Sequence, residues 1–380
     1  MINVMTASNS SYTKYLFPQL VSLSKNIKSE KGNFFYFYNV ISDEILKELE
    51  DFCQNLGNIS FYPIKVSENI DLYNELASRG GGAPNGGGLF PFEVYFCLDC
   101  YRYLPTWVDR ILYIHTGDIL FISPFSEFYF SDFHGKSLTI ELSTSRFIKE
   151  KVAGKYAYYD ESDFEQYVRK YAGIDGAYFN SGSFLVNVEK QRILNRDITY
   201  FINKKNKIAD YTLSEKGKTP EKLYFGDQAF FSYVYLGDVN IFDNLYKNGV
   251  NLRKYNYSWV SKFWKNKIGR VEIEPCIIHF DGRFKPWQLE KDFFKKKLPN
   301  NITEENFLNG LTGFGPIAFK TYYEKYWKFA INSPYYLEMK KIAEMSSETL
   351  RNTYLLSENN GVNLKKQVID LKRQVDDLKE

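Results

Sequence analysis

The sequence predicts an α/β fold built on a largely parallel sheet. Three observations carry that prediction. Apolar runs alternate with amphipathic helical stretches in the order β-α-β-α-β through residue 66. Short polar clusters follow several of the runs, where open α/β sheets bind their ligands. The chain has 380 residues and is 44% apolar, enough to bury one large core or two ordinary ones.

INVMTA (2–7) reads as a buried strand, with the polar turn SNSSY after it. TKYLFPQLVSLSKNI (13–27) reads as a helix and FFYFYNV (34–40) as a second strand. SDEILKELEDFCQNL (42–56) predicts a helix with Ser42 and Asp43 near its N-cap and an acid in its first turn. ISFYPIKV (59–66) is a third strand. GGGAPNGGG (80–88) reads as a loop or lid. It lacks the lysine and Ser/Thr of a phosphate-binding loop and follows no strand. VYFCLDCYRYLP (94–105) reads as helical and closed by Pro105. Residues 145–176, charged and Tyr-rich, read as helix plus loop. YFNSGSFLVNV (178–188) is a strand interrupted by Asn180-Ser181-Gly182, GDQAFFSYVY (226–235) starts a helix at a polar cluster, and CIIHFDGRFKPW (276–287) is a strand running into a polar turn.

Beyond residue 290 the segments are helical, Lys-rich and Tyr-rich to about residue 357. Leu364, Val368, Leu371, Val375 and Leu378 alternate spacings of four and three. Val at a and Leu at d fit a parallel two-stranded coiled coil that breaks off mid-pattern at residue 380, and a single surface helix fits as well.

Net charge is only +3, which argues against a dedicated nucleic-acid binder. Basic residues thicken after residue 250, from Lys254 through Lys297, as a face for an anionic membrane or simply for solvent. The 31 Tyr and 32 Phe exceed what a core needs and suit either sugar faces or protein interfaces. No segment is long and apolar enough to span a bilayer, and the N-terminus lacks the charged start and apolar core of a signal peptide, so a mature cytosolic protein is expected. Cys97 and Cys100 form a C-x-x-C with no second pair, and Cys53 and Cys276 are isolated, so four buried free thiols are expected.

The chemistry concentrates in YIHTGDILF (113–121), where His115, Thr116, Gly117 and Asp118 separate two apolar runs. Of three histidines in the chain, His115 and His279 each end an apolar run near an acid. Together with Asp118 they would suit a divalent cation, although spacing alone does not bring them together.

Five stretches in order resemble family 8 glycosyltransferases, retaining enzymes of the GT-A fold: TASNSSY, VYFCLDCYRYLPTWVDRILYIHTGD, YFNSGSFLVNVEK, GDQAFF and HFDGRFKPW. The resemblance covers residues 1 to about 290. It implies a GT-A domain at 1–290, a Rossmann-like mixed sheet flanked by helices. A helical, basic and aromatic extension at 291–357 and the start of a coiled coil at 358–380 would follow. It also implies a UDP-sugar donor, with backbone contacts from Ala7 and Ser8, the uracil edge met by the Asn9 amide, and Tyr12 stacked on uracil. His115, Asp118 and His279 would hold Mn²⁺ or Mg²⁺, and Lys285 would stabilise the departing diphosphate. Gly282 would admit the phosphate, Asn180 and Asp227 would hold sugar hydroxyls, and Gln228 would lie near the anomeric centre. Three departures stand out. Asn9 replaces the more usual acid. His115-Thr116-Gly117-Asp118 replaces Asp-x-Asp, one residue longer and with a histidine first. Cys97 stands where an arginine is usual, with Arg79, Arg102 or Arg283 as substitutes.

The expected function is metal-dependent, retaining transfer of a hexose, glucose or galactose, from UDP onto a bacterial surface glycan of lipopolysaccharide or capsule type. A glycan or glycolipid acceptor, peripheral contact with the inner face of the membrane and a coiled-coil homodimer are the associated expectations. The competing reading is a non-catalytic UDP-sugar-binding or scaffold protein with a decayed metal motif. A nucleotidyltransferase would need a basic loop after the first strand, which SNSSY does not supply.

Overall fold

The computed structural model describes residues 1–27, 30–79, 91–140, 179, 181–204, 227–242, 256–257, 276–280, 285–289 and 318–360. The glycine-rich insert, the stretch 145–176 and the coiled-coil heptads lie outside them.

Seven strands form the main sheet: β1 (Ile2–Ala7), β2 (Gly32–Tyr38), β3 (Ile59–Lys65), β4 (Arg110–Ile114), β6 (Leu138–Ile140), β7 (Ser183–Asn187) and β8 (Val239–Ile241). Their spatial order is β3-β2-β1-β4-β7-β6-β8. β3, β2, β1 and β4 run parallel, whereas β7 is antiparallel to both β4 and β6, so the sheet is mixed. A second sheet of three short strands joins β5 (Ile119–Phe121), β10 (Ile277–His279) and β9 (Asn256–Tyr257), in that order.

β1 and β2 are buried at every residue, which is why they read as continuous apolar runs rather than alternating ones. β3 alternates and carries Pro63, tolerated because β3 is the sheet edge. Side chains alternate across the sheet. Met5, Phe35, Phe37, Tyr113 and Phe184 pack on one face with Tyr95 and Phe231. Val4, Phe34, Tyr36, Leu112 and Leu185 pack on the other with Phe17 and Leu20.

Helix α1 (Ser10–Thr13) is a single turn, and α2 (Leu16–Asn26) follows it. The expected helix over 13–27 is therefore broken at Tyr15, and Pro18 sits in the first turn of α2, where its missing N–H costs nothing. α3 (Asp43–Leu56) starts at Ser42, whose hydroxyl accepts from the Ile45 N–H, and ends at Gly57 with φ +80°. α4 (Ile70–Arg79) follows β3, α5 (Ser126–Tyr129) follows β5 and α6 (Val188–Leu194) follows β7.

The stretch 94–105 folds as two 3₁₀ turns, Phe92–Cys97 and Cys100–Arg102, not as one α-helix. Val94 through Leu98 are all buried, so the run has no solvent face at a 3.6-residue period. Asp99 joins the two turns. It is fully buried, takes a short hydrogen bond from the Tyr73 hydroxyl of α4 and faces Arg102 at 3.6 Å.

Burial pushes the Asp99 carboxyl up to about 6, with Tyr73 and Arg102 pulling against it. Between the ordinary carboxylate value and 6 the folded state holds a proton that the unfolded state has released. Stability from this group therefore falls as pH rises through that window, by roughly 3 kcal/mol in all, and is flat above it. Denaturant titrations from pH 4 to 7 should show the difference between wild type and Asp99→Asn shrinking as pH rises. A difference independent of pH would refute the assignment.

A third cluster docks the C-terminal helices α8 (Ala318–Ala330) and α9 (Tyr336–Asn360) on the small sheet. Tyr326, Trp327, Met339 and Ala343 pack with Tyr15, Leu120, Ile278 and Trp287, and the Trp327 Nε1–H donates to the Leu289 carbonyl at 2.9 Å. Lys14 reaches Glu338 at 2.6 Å. All four cysteines are buried free thiols, as the sequence predicted. Among the described residues no helix is long and apolar enough to cross a membrane.

Candidate functional site

The topology creates the site. β1 lies between β2 and β4, with the chain winding to β2 on one side and β4 on the other, so the carboxyl ends of β1 and β4 flank a switch point where such sheets open a crevice. Because β7 runs antiparallel to β4, its amino end arrives at the same edge. Ile114 pairs with Ser183, and the His115 N–H donates to the Gly182 carbonyl at 2.9 Å. β5 leaves the turn 115–118 directly and pairs with β10, placing His279 opposite Ile119 and the Phe280 N–H on the Asp118 carbonyl at 2.8 Å. Residues 164 positions apart, His115 and His279, thus meet through strand register.

The turn itself is held from below. Gln19 of α2, fully buried, donates Nε2–H to the His115 carbonyl at 2.8 Å and accepts the Gly117 N–H on Oε1 at 3.1 Å. The Thr6 hydroxyl donates to the Ile114 carbonyl at 2.7 Å and lies 2.7 Å from the Thr116 hydroxyl, which reaches the Ala7 carbonyl at 3.2 Å. Gly117 has φ +80°, and a Cβ there would lie 2.6 Å from the Tyr15 Cβ. Thr116 and Gly117 shape the turn, leaving His115 and Asp118 to form the cluster.

His115, Asp118 and His279 each offer one ligand atom, and these atoms lie within 4.8 Å of one another. The two imidazoles meet edge to face, centroids 5.3 Å apart. Asp118 Oδ2 lies 2.6 Å from Lys285 Nζ and 3.5 Å from His279 Nε2, and the lysine also donates to the Phe280 carbonyl at 3.1 Å. Asp118 Oδ1 is buried and has no hydrogen-bond partner among the described residues. Burial raises the Asp118 pKa, but Lys285, His279 and His115 outweigh it and hold the carboxyl well below the usual range. The group is an anion at any physiological pH.

These donors fit a borderline divalent cation. Ligand atoms on one ion at bond lengths of about 2.1 Å lie about 3.0–3.6 Å apart, or about 4.2 Å where opposite, so the trio, now within 4.8 Å, closes with side-chain shifts of no more than about 2 Å. Gly182 closes the wall behind His279: a Cβ there would sit 2.1 Å from His279 Cε1 and 2.4 Å from Nδ1.

The other candidate residues divide into three groups. Ser8 is turned into the fold, its N–H on the Phe37 carbonyl at 3.2 Å and its hydroxyl 2.9 Å from the Tyr36 hydroxyl, and the Ala7 carbonyl takes Thr116. Asn9 caps α1, accepting from the Ser11 N–H and hydroxyl on Oδ1. Tyr12 is half-buried at the edge of the stacked pair Tyr15–Trp287, 6.3 Å from each ring. Asp227 and Gln228 open helix α7 (Asp227–Val234). Their side chains, and Asn180 and Gly282 altogether, lie outside the described residues. The Phe179 N–H donates to the Ser232 hydroxyl of α7 at 3.2 Å.

Cys97 is a core residue, its thiol on the Val94 carbonyl at 3.2 Å. Arg102 is engaged by Glu68 and Asp99. Arg283 and the Arg79 side chain are outside the described residues. Sequence reasoning missed Gln19, Thr6, Tyr15 and Trp287, which hold the turn. The one available signal was a glutamine inside the apolar run LFPQLV.

The family model described as glycosyl transferase family 8 matches residues 3–291. No curated protein matches the sequence. Among solved structures, the bifunctional glycosyltransferase WbbM is 15% identical, with 90% of this chain and 51% of that chain covered and a TM-score of 0.54. The galactosyltransferase LgtC, in complex with donor and acceptor sugar analogues, is 17% identical over 75% of this chain and 89% of its own, with a TM-score of 0.49. GlyE from Streptococcus pneumoniae TIGR4 is 14% identical over 94% of this chain and 65% of its own, with a TM-score of 0.48. The mixed seven-stranded sheet flanked by helices is the GT-A architecture. A family match over nearly three hundred residues, on a mixed seven-stranded sheet flanked by helices, settles the family: the chain belongs to glycosyl transferase family 8.

Proposed function

We propose that this protein is a metal-dependent, retaining glycosyltransferase that moves a hexose, glucose or galactose, from UDP onto a glycan or glycolipid acceptor of the bacterial surface type. The observation that carries the reading is the cluster His115, Asp118, His279 and Lys285 at the β1/β4 switch point, with Asp118 and His279 buried. A divalent cation bound there would act as a Lewis acid on the diphosphate. Asp118 supplies the anion that holds it, and the two imidazoles supply neutral ligands. Lys285 is the cation for the charge that builds on the β-phosphate as the sugar–oxygen bond breaks. The acceptor's hydroxyl proton passes to a leaving phosphate oxygen, so no general base is needed. Tyr12 offers a ring to the uracil. Asn9 keeps its amide nitrogen for the base edge, since Oδ1 caps α1. Asn180 and Asp227 hold sugar hydroxyls, Gln228 faces the anomeric carbon, and Ala7, Ser8 and Gly282 border the nucleotide.

A second reading, a UDP-sugar-binding protein without turnover, is favoured by one observation: histidine stands where the family has its first acid, leaving a single carboxylate. Release of UDP from UDP-glucose and UDP-galactose separates the two. EDTA-sensitive release, lost by about a hundredfold or more in Asp118→Asn, supports transfer. UDP binding with no release from either sugar, with or without Mn²⁺ and a glycan acceptor, supports the second reading.

A further inference from the structure

Asp118 is the one carboxylate of the trio, and its Oδ2 is already claimed by Lys285 at 2.6 Å. An ammonium and a divalent cation gathered at one buried carboxylate repel strongly, because the surroundings screen little. The lysine is built to leave. Its backbone is pinned independently of its side chain: the Lys285 N–H donates to Gln288 Oε1 at 2.9 Å, and the Lys285 carbonyl accepts the Gln288 N–H at 2.9 Å. Pro286 fixes the next φ. The ammonium, held on Asp118 and on the Phe280 carbonyl at 3.1 Å, can leave both by rotation about its four side-chain torsions, on a side chain still 26% exposed.

We propose that Lys285 is an exchangeable counter-ion: it neutralises Asp118 in the free protein and yields the carboxylate to a divalent cation when a nucleoside diphosphate takes up the ammonium. The proposal rests on the metal and nucleotide reading above and adds to it a coupling between the two ligands. A cation that settles on the open Oδ1 still meets the ammonium on Oδ2, so its binding alone is weakened until Lys285 moves away. The diphosphate gains a lysine that the cation has released. Each ligand then raises the other's affinity through this residue, and by linkage the two factors are equal. A site holding two carboxylates could keep its lysine and its metal together. Here His115 in place of the first acid leaves one carboxylate for both.

The test is calorimetric titration of Mn²⁺ into the protein, alone and saturated with UDP, for wild type, Lys285→Met and Lys285→Arg. Removing the ammonium should tighten Mn²⁺ binding without UDP by about tenfold, the scale of one charge-assisted hydrogen bond. The factor by which UDP tightens Mn²⁺ should shrink by a similar amount. Lys285→Arg, which keeps the charge, should stay close to wild type without UDP and shows that any gain in Lys285→Met is not a general loosening. Melting curves confirm that both variants fold. If Lys285→Met binds Mn²⁺ no tighter than wild type, or UDP's effect on Mn²⁺ is unchanged, the exchange is overturned while the metal site stands. If neither wild type nor Lys285→Met binds Mn²⁺ even with UDP present, the metal reading falls and the exchange falls with it.

Discussion

Gly182→Ala is expected to remove His279 from the site and with it Mn²⁺-dependent UDP binding. The added Cβ would lie 2.1, 2.4 and 2.7 Å from three atoms of the His279 ring, closer than real carbon contacts allow. Neither backbone can give way cheaply. Gly182 is anchored by the His115 N–H on its carbonyl at 2.9 Å. His279 is anchored by β10's pairing with β5 and by the Phe280 N–H on the Asp118 carbonyl. The imidazole must rotate away from Asp118 or the sheets must part. Overpacking of this kind costs about 1–3 kcal/mol, so the protein should still fold, with a lowered melting temperature. Gly57→Ala is the control: nothing lies within 4 Å of its Cβ position, but its φ of +80° is unfavourable for alanine. It should cost about 1 kcal/mol through backbone strain alone and leave the site untouched. Calorimetry of Mn²⁺ and UDP on both variants decides the matter. Wild-type Mn²⁺ affinity in Gly182→Ala would show that His279 is not a ligand.

Local signals made part of this structure legible. Ser42 and Gly57 bracket α3 because capping chemistry acts within a few residues. The continuous apolar runs at β1 and β2 reported strands covered on both faces. The turn 115–118 was legible as a break between two strands, and the ordered motifs brought His279 and Lys285 to it by resemblance. What holds the turn was not legible, because it is made at long range. Gln19 spans 96 positions to His115, and Lys285 spans 167 to Asp118. A glutamine in an apolar helix looks like a tolerated exception until the turn it clamps is in view. The run 94–105 misled for the opposite reason. Its residues have good helix formers among them, but the backbone winds as two 3₁₀ turns parted at Leu98 and Asp99, with Val94 through Leu98 all buried. Cys97 illustrates the same limit. By resemblance it stands where an arginine is usual, whereas its thiol is packed in the core.

The second large effect concerns which cation the proposed site would accept. Mg²⁺ favours an octahedral shell of oxygens and gives up water reluctantly, whereas imidazole nitrogens suit later first-row ions. Two imidazoles and one carboxylate, the latter shared with Lys285, make a poor magnesium site. Mn²⁺ and Co²⁺ should therefore bind about a hundredfold more tightly than Mg²⁺ in the presence of UDP, a difference of roughly 3 kcal/mol. Restoring an acid tests the cause. His115→Asp replaces a neutral nitrogen donor with an anionic oxygen, so Mg²⁺ affinity should rise and the preference for Co²⁺ should shrink. The turn should survive, because Gln19 and Thr116 hold it through the backbone and through Thr6, not through the His115 ring. Competition titrations with Mg²⁺, Mn²⁺ and Co²⁺ read the outcome directly. Equal affinities in the wild type would mean that the imidazoles do not bind the ion and that Asp118 alone does. A shift in His115→Asp toward magnesium, with the fold intact, would trace the preference to the one residue by which this turn departs most from its family.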